Sequence, residues 1–584
     1  METYDVAKIP FSSRGSFLKV SPLPIGRLGS AEGGSKRLVL GTVRGMPMAQ
    51  GTADLYDIAL LRDGAEVDYG WSAAPERLTL QADEGRAVFT FMDAETLRFE
   101  GRGVDVRFVP RHCTSWQAHP TPHQCLISDY PARCFHHFRA EEGTTLEVSE
   151  APDADVGEAA GTDIARAALF RGEDVSSGAV RICRQESLWE APLPDLNEAA
   201  ADQAEDWQGW LAAMPSVPDR YRDTAELAWL VEWLNTVPFE EPVPRNAILM
   251  SKNWMTNVWS WDNCFNALAV AEADPELAWD QLRLMFDRQA TTGALPDSAN
   301  DEHTQFGFVK PPVYGWTMLN LARLLGPERC RGHLEELFEP ARRLTEWWYT
   351  NRDYDSDGMC QYHHGNDSGW DNATVFDQGY PTEGADLAAH LVLQTEALGF
   401  IASLLGRTTE AERWEAASEK QLGDLLEKQV KGDRFFSPLD GHSEAPQTHC
   451  LLNYIPMVLG HRLPENVLRA LVEDLSPDGP YLTDYGLATQ APESPKYEPD
   501  GYWRGPIWAP STYLIFDGLR DAGESALAET VAERFCGMCA GQGGMYENYD
   551  ALTGKGLRDP GYSWTASAFI LMAHWLREQE TETS

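Results

Sequence analysis

Between Gly365 and Asp377 the chain reads GNDSGWDNATVFD, with three aspartates, two asparagines and one tryptophan in thirteen residues and no helical spacing of apolar positions. Three more loops pair acids or arginine with aromatic rings. SKNWMTNVWSWDNCFNALAVA carries Trp254, Trp259, Trp261 and Asp262; DGYWRGPIWAPSTYL carries Trp503, Arg504 and Trp508; GGMYENYDALTGKG carries Glu547 and Asp550. Acids, a guanidinium and indole faces together are what cleaving a glycosidic bond requires. One carboxylic acid protonates the leaving oxygen while a second carboxylate activates water or attacks the anomeric carbon. The acid needs neighbours that raise its pKa. Asp371 has Trp370 and Asp367 beside it, whereas Glu547 lies between Tyr546 and Asn548, whose hydrogen bonds would hold it ionised. Read locally, Asp371 is equally a turn or N-cap acid.

The elements that must position these loops change character along the chain. RLVLGTV, DLYDIALLRDG, RLTLQAD, RAVFTFMD, TLRFEGRGVDVRFVP and GAVRICRQ are short runs punctuated by turn residues, several alternating apolar with polar, and predict an antiparallel β-sandwich over residues 1–190. An acidic, Ala- and Pro-bearing linker and a first helix occupy 191–215. From there helical periodicity dominates, in segments such as DTAELAWLVEWLNTV, HLEELFEPARRLTEWWYTNR and GADLAAHLVLQTEALGFIASLLG. About a dozen such helices, with polar, Trp- and Gly-rich loops after alternate members, predict an all-α (α/α)6 barrel over 216–580 whose loops gather at one end. A helical solenoid has no fixed sequence period to support it.

Composition narrows the partners. A formal net charge of −42 repels phosphate backbones and anionic lipid, so neither nucleic acid nor a membrane is expected as a partner and a small carbohydrate is. The opening METYDVAKIPFSSRGSF has no basic region before an apolar run, no transmembrane stretch is read, and the cytoplasm is the expected location. Ten cysteines in 584 residues are no disulfide framework, and CGMC at Cys536–Cys539 reads as a packed, reduced pair. DYDSDG at Asp353–Gly358 copies the start of a calcium loop but has His364 where an EF-hand needs Glu, so it reads as a polar turn, with a calcium site of another kind as the alternative, and no cofactor is expected to be required. Lys310, before PPVYGW, reads as a surface lysine. No HExxH, Walker A, GxSxG or GxGxxG pattern occurs.

In this order, WSWDNCF, SGWDN, YWRGPIW and YENYDALTGKG resemble the motifs of glycoside hydrolase family 63, over roughly the helical part of the chain. The resemblance implies an (α/α)6 barrel and hydrolysis of an α-glycoside with inversion, glucose being the expected glycone. It implies Asp371 as general acid and Glu547 as general base. It implies Trp261, Asp262, Gly369, Trp370, Trp503, Arg504 and Trp508 as substrate contacts. Asp367 stands where the family often has Glu, and Ala551 where it usually has Pro. Each assignment has a plainer counterpart: Asp262 as N-cap of a helix from Asn263, Arg504 as a loop brace, the tryptophans as core, Asp367 as a supporting partner and Asp377 as a cap or surface acid. Two other classes compete, a sugar epimerase using His363 or His364 and a non-catalytic carbohydrate-binding protein.

Overall fold

Arg86–Asp93 shows why the amino-terminal region forms sheets. In RAVFTFMD, Ala87, Phe89 and Phe91 are buried while Arg86 and Asp93 are exposed, the period-two pattern of a strand with one covered face. The computed structural model describes residues 3–22, 37–45, 54–111, 115–129, 133–151, 165–186, 189 and 191–582. One antiparallel sheet runs in the order Leu18–Pro22, Leu38–Thr42, Asp54–Arg62, Asp105–Pro110, Arg166–Gly172 and Thr144–Glu150, with Ala65–Val67 paired to Asp54–Arg62. The other runs Ser115–Pro120, Gln124–Asp129, Cys134–Ala140, Val175–Cys183, Thr96–Arg102, Arg86–Asp93, Arg77–Gln81 and Gly70–Ala74. Their inner faces share one aromatic core: Phe99 of the second sheet meets Phe170 and Phe108 of the first at ring-centroid distances of 4.8 and 5.5 Å, and Phe138 meets Phe108 at 5.7 Å. Each such pair stabilises by about 0.5–1.5 kcal/mol beyond its area burial.

Helix α1 (Leu196–Ala212) belongs with the sheets. Asp195 caps it by accepting from the amides of Asn197 and Glu198, and its body packs on strands Arg86–Asp93 and Thr96–Arg102. The chain divides into two compact units, the first running to Ala213 and including Trp233–Pro238 and Ser251–Thr256, the second comprising Met214–Glu232, Phe239–Met250 and everything from Asn257. The stretch read as a linker with its helix is thus part of the sheet unit, and two short returns to that unit carry no compositional signal in the sequence.

The second unit is helical. Its members are most of α2 (Arg222–Asn235), α3 (Asp262–Val270), α4 (Pro275–Phe286), α5 (Tyr314–Leu325), α6 (Pro327–Asn351), α7 (Ala385–Leu404) and α8 (Thr408–Lys428). A 3-10 segment (Leu451–Arg462), α9 (Glu465–Leu475), α10 (Ala509–Asp521), α11 (Ser525–Ala540) and α12 (Ser563–Glu582) complete it. α3 packs on α5, α5 on α7, α7 on the 3-10 segment, that segment on α10 and α10 on α12, which meets α3 again. α4, α6, α8, α9 and α11 each back the member before them. Burial follows this order. α7 is apolar on all sides and long enough by composition to cross a membrane, yet it lies buried among its neighbours. α8, behind it, buries one stripe through Ala411, Trp414, Ser418, Gln421 and Leu425. Cys536 and Cys539 lie buried and unbridged on α11.

Short bridges stitch the loops between these helices to one another. Val258–Trp259 pairs with Ser298–Ala299, Thr382 bridges Tyr362 and Leu439, and Ile507 bridges Ala488 and Tyr549. The acid-bearing loops, far apart in sequence, are thereby held side by side.

Candidate active site

The tryptophans of three loops form one cluster. Trp503 and Trp508 stack at 3.9 Å with planes 8° apart, Trp370 lies 4.6 Å from Trp503, and Trp261 lies 6.3 Å from Trp503. Trp564, on the first turn of α12, stands edge-on to both Trp261 and Trp508. Gly369 is part of this packing. Its φ is +76°, and a Cβ there would come within 2.5 Å of the Trp261 ring, so only glycine lets the 365–371 loop lie on that indole. Gly369, expected among the substrate contacts, seats the loop on Trp261.

Four carboxyls and a lysine meet at this cluster. Asp371 is pushed up to about 6, by burial first and by Asp297, against Lys310 and His364. The Asn366 amide lies against it, and with its nitrogen turned to the carboxylate donates to Oδ2 at 2.7 Å. Asp262, 2% exposed, is raised well above the usual carboxylate range by burial, with Asp297 and Asp371 adding and Lys310 opposing. It is the first residue of α3 and makes no capping bond; the N-cap position is Trp261. Asp262 Oδ2 has no hydrogen-bond partner among the described residues, so the capping alternative gives way to an oxygen available to a ligand hydroxyl.

Glu547 is pushed up to about 8 by burial, with Asp559 and Asp371 adding, and Arg558 and the Tyr502 hydroxyl opposing. Its expected partners are elsewhere. Asn548 accepts from Arg558 at 3.0 Å and the Tyr546 carbonyl accepts from Thr565, because alternate residues of this extended segment face opposite ways. Only the Tyr502 hydroxyl favours the ionised form by a side-chain hydrogen bond, and the acid is not held ionised as the sequence suggested. The Asp371 charge acts on both Asp262 and Glu547, which places the three in one electrostatic neighbourhood.

Other expectations are redirected. Lys310 is no surface lysine: it is 9% exposed, pairs with Asp297 at 2.7 Å and donates to the Asn366 carbonyl at 2.6 Å. Arg504 braces the loops, donating to the Asn372 carbonyl at 2.8 Å and to Asp377 at 2.6 Å, while Lys496 holds the other Asp377 oxygen. Asn372 ties the same two loops, donating to the Gly501 carbonyl and accepting from the Trp503 amide. Asp367 is saturated by Arg352, the His363 amide and the Val309 amide at 2.8, 2.9 and 3.1 Å, which suits a supporting partner and leaves it no part as an acid. Exposed His364 accepts from the Asn366 amide and stacks on Tyr380.

Sequence reasoning passed over Asp297, Asn366, Tyr502 and Tyr562. Tyr502 adjoins Trp503 in a motif already singled out, and its φ of +63° is a strained setting for an aromatic residue, the kind that collects at functional sites. Tyr562 is buried with Glu547, Asp262 and Tyr502 all within electrostatic reach. Lys310, flanked by Val309 and Pro311, had a local signal of burial in those neighbours. A separate groove of about 400 Å³ by Tyr485 and Arg534 contains none of the acids.

Comparison with known proteins agrees with this chemistry. Residues 255–565 match the family model described as the mannosylglycerate hydrolase MGH1-like glycoside hydrolase domain. The chain is 24% identical over 399 residues to the mannosylglycerate hydrolase of Thermus thermophilus, covering 55% of this chain and 94% of that one. It is 22% identical over 412 residues to the glucosylglycerate hydrolase of Mycolicibacterium hassiacum, covering 54% and 91%. In fold it is similar to a bacterial glucoamylase solved with acarbose, at a TM-score of 0.60 and 10% identity over 99% of this chain and 95% of that one. The chain belongs to the MGH1-like glycoside hydrolase family, in keeping with the family 63 resemblance of its motifs, and is a glycoside hydrolase.

Proposed function

We propose that this glycosidase is an inverting, exo-acting α-glycosidase in which Asp371 is the general acid and Glu547 the general base. The sheet unit is then a β-sandwich and the helical unit an (α/α)6 barrel, the order of helix contacts being what supports the second assignment. One observation carries the catalytic reading: Asp371 and Glu547, from loops far apart in the sequence, interact electrostatically near a cluster of stacked indoles.

The chemistry follows from one proton shared by two acids. In the free enzyme that proton resides preferentially on Glu547, the group with the higher pKa. Turnover needs it on Asp371, so binding a glycoside must bring the leaving oxygen to Asp371 and a water to Glu547. Tyr502 assists by favouring ionised Glu547. Inversion needs room for that water, about 6.5–9.5 Å between the carboxyls. Asp262, with its unpaired oxygen, grips a hydroxyl of the glycone, and Lys310 with Asp297 sets the field around both aspartates. No cofactor is called for by acid–base hydrolysis of this type. Glucose is the favoured glycone. Glycosylglycerates of glucose and mannose are the first substrates to try, because the relatives are named for them.

The test separates acid from base by leaving group. Asp371→Ala should lose about 10²–10⁴-fold in kcat on a glycoside with an alkoxide leaving group, yet retain hydrolysis of the matching α-glycosyl fluoride, which needs no protonation. Equal losses on both substrates, or none on either, would remove Asp371 from the acid's role.

A further inference from the structure

A thiol, a carboxylate and an imidazole converge inside the sheet unit, and none of them takes part in the proposed hydrolysis. One donor atom from each of Asp129, Cys134 and His136 lies within 4.8 Å of the other two, and all three residues are buried. The strands dictate this meeting. Gln124–Asp129 and Cys134–Ala140 pair antiparallel with Asp129 directly opposite Cys134, and His136 stands two residues on, opposite Ile127. Side chains two apart on a strand share a face. Cys134, His136 and Phe138 therefore point the same way, and Phe138 in the aromatic core shows that way to be inward.

The spacing is that of ligands round a common centre. His136 Nε2 lies 3.3 Å from Cys134 Sγ and 3.4 Å from Asp129 Oδ2. A tetrahedral zinc ion, with bonds of about 2.0–2.2 Å to nitrogen and oxygen and about 2.3 Å to sulfur, sets such atoms about 3.4–3.6 Å apart. One imidazole nitrogen carries at most one proton, which cannot point at both the sulfur and the carboxylate. A cation between the three meets all of them. The far side of the ring is fixed as well: His136 Nδ1 lies 2.6 Å from the hydroxyl of Tyr56, on strand Asp54–Arg62 of the facing sheet. With Nδ1 protonated and donating to that hydroxyl, Nε2 turns its lone pair to the thiol and carboxylate, the tautomer a metal ligand needs.

We propose that Asp129, Cys134 and His136 bind one zinc ion as a structural site of the sheet unit. Thiolate and imidazole donors select zinc over calcium and magnesium, which take oxygen. A thiolate, a carboxylate and a divalent cation sum to zero charge, so the assembly suits an apolar interior that would reject either anion alone. Binding releases the Cys134 thiol proton to solvent. The ion ties the two strands together and, through His136 and Tyr56, braces them against the facing sheet.

The test uses the full chain, stripped with a strong chelator under reducing conditions. Zinc sulfate is titrated by calorimetry and cobalt(II) chloride by absorption, because cobalt bound to thiolate shows a sulfur-to-metal charge-transfer band. The parent chain should bind zinc saturably, gain thermal midpoint with it, and show the band with cobalt. Cys134→Ser should lose the band, whereas Cys125→Ser, at a buried cysteine of the same strand pair, should keep it. Tyr56→Phe should keep the band and weaken zinc binding by about 10–100-fold. If Cys134→Ser fails to fold, Asp129→Asn takes its place, with a loss of zinc affinity of at least about tenfold expected. Neither zinc-binding heat nor a cobalt band in the parent chain, or a band and affinity unchanged by Cys134→Ser or its replacement, would overturn the site. No readout uses turnover, so the outcome is independent of the roles given to Asp371 and Glu547.

Discussion

Two groups of acids differ in their surroundings. Asp371, Asp262 and Glu547 are set among tryptophans and tyrosines, with Lys310 the cation that opposes the rise of both aspartates. Low polarity there favours the protonated form, so the group stores a proton for transfer. Asp353, Asp355, Asp357, Glu383 and Asp440 come from three chain segments; Glu383 is buried and the four aspartates are half-buried or exposed. The first group is raised mainly by burial, whereas in the second burial raises Glu383 and the carboxylates of Asp357, Asp355 and Asp440 add to the rise.

The comparison breaks first at Glu547. Glu547→Ala should lower kcat by about 10²–10⁴-fold on glycosides and glycosyl fluorides alike, since water must be activated whatever the leaving group; steady-state kinetics on both substrates checks this. Glu383→Gln, by contrast, should leave kcat within a few-fold of the parent chain.

The pH profile sharpens the contrast. The pair is competent with one proton, so kcat/KM should form a bell, falling below about 6 as both acids protonate and above about 8 as both ionise. Gly369→Ala should lower the thermal midpoint through about 1–3 kcal/mol of strain at a positive φ and at the Trp261 ring.

The smallest effect concerns stability. Glu547 is raised on folding from 4.5 to about 8, so the folded state binds its proton more tightly than the unfolded state does. Its contribution is present at low pH and is lost as pH rises towards 8. Glu547→Gln should therefore raise the midpoint relative to the parent chain at pH 9 and make little difference at pH 4, read by parallel melts.

What the sequence disclosed and what it withheld divide along the range of the interactions. Strand alternation in RAVFTFMD and the helical stripes of α6 and α8 are set by neighbours a few residues away, and they were legible. So were Asp371 and Glu547 as residues of interest, because each sits in a local motif. Lys310 was not, since its burial depends on Asp297 and Asn366 arriving from two other loops. Arg504 could be read as a substrate contact, and its bonds to Asp377 and Asn372 come from another loop. DYDSDG read as a polar turn, and nothing local showed that Glu383 and Asp440 would come beside Asp355 from other segments.

The central claim, that an acid and a base act from opposite sides of one anomeric carbon, is tested most directly by proton NMR of the first product released from an α-glycoside, followed before mutarotation. We expect the β anomer to appear first and the α anomer to follow as mutarotation proceeds. An α anomer at the earliest times would mean retention through a covalent intermediate and would contradict the account.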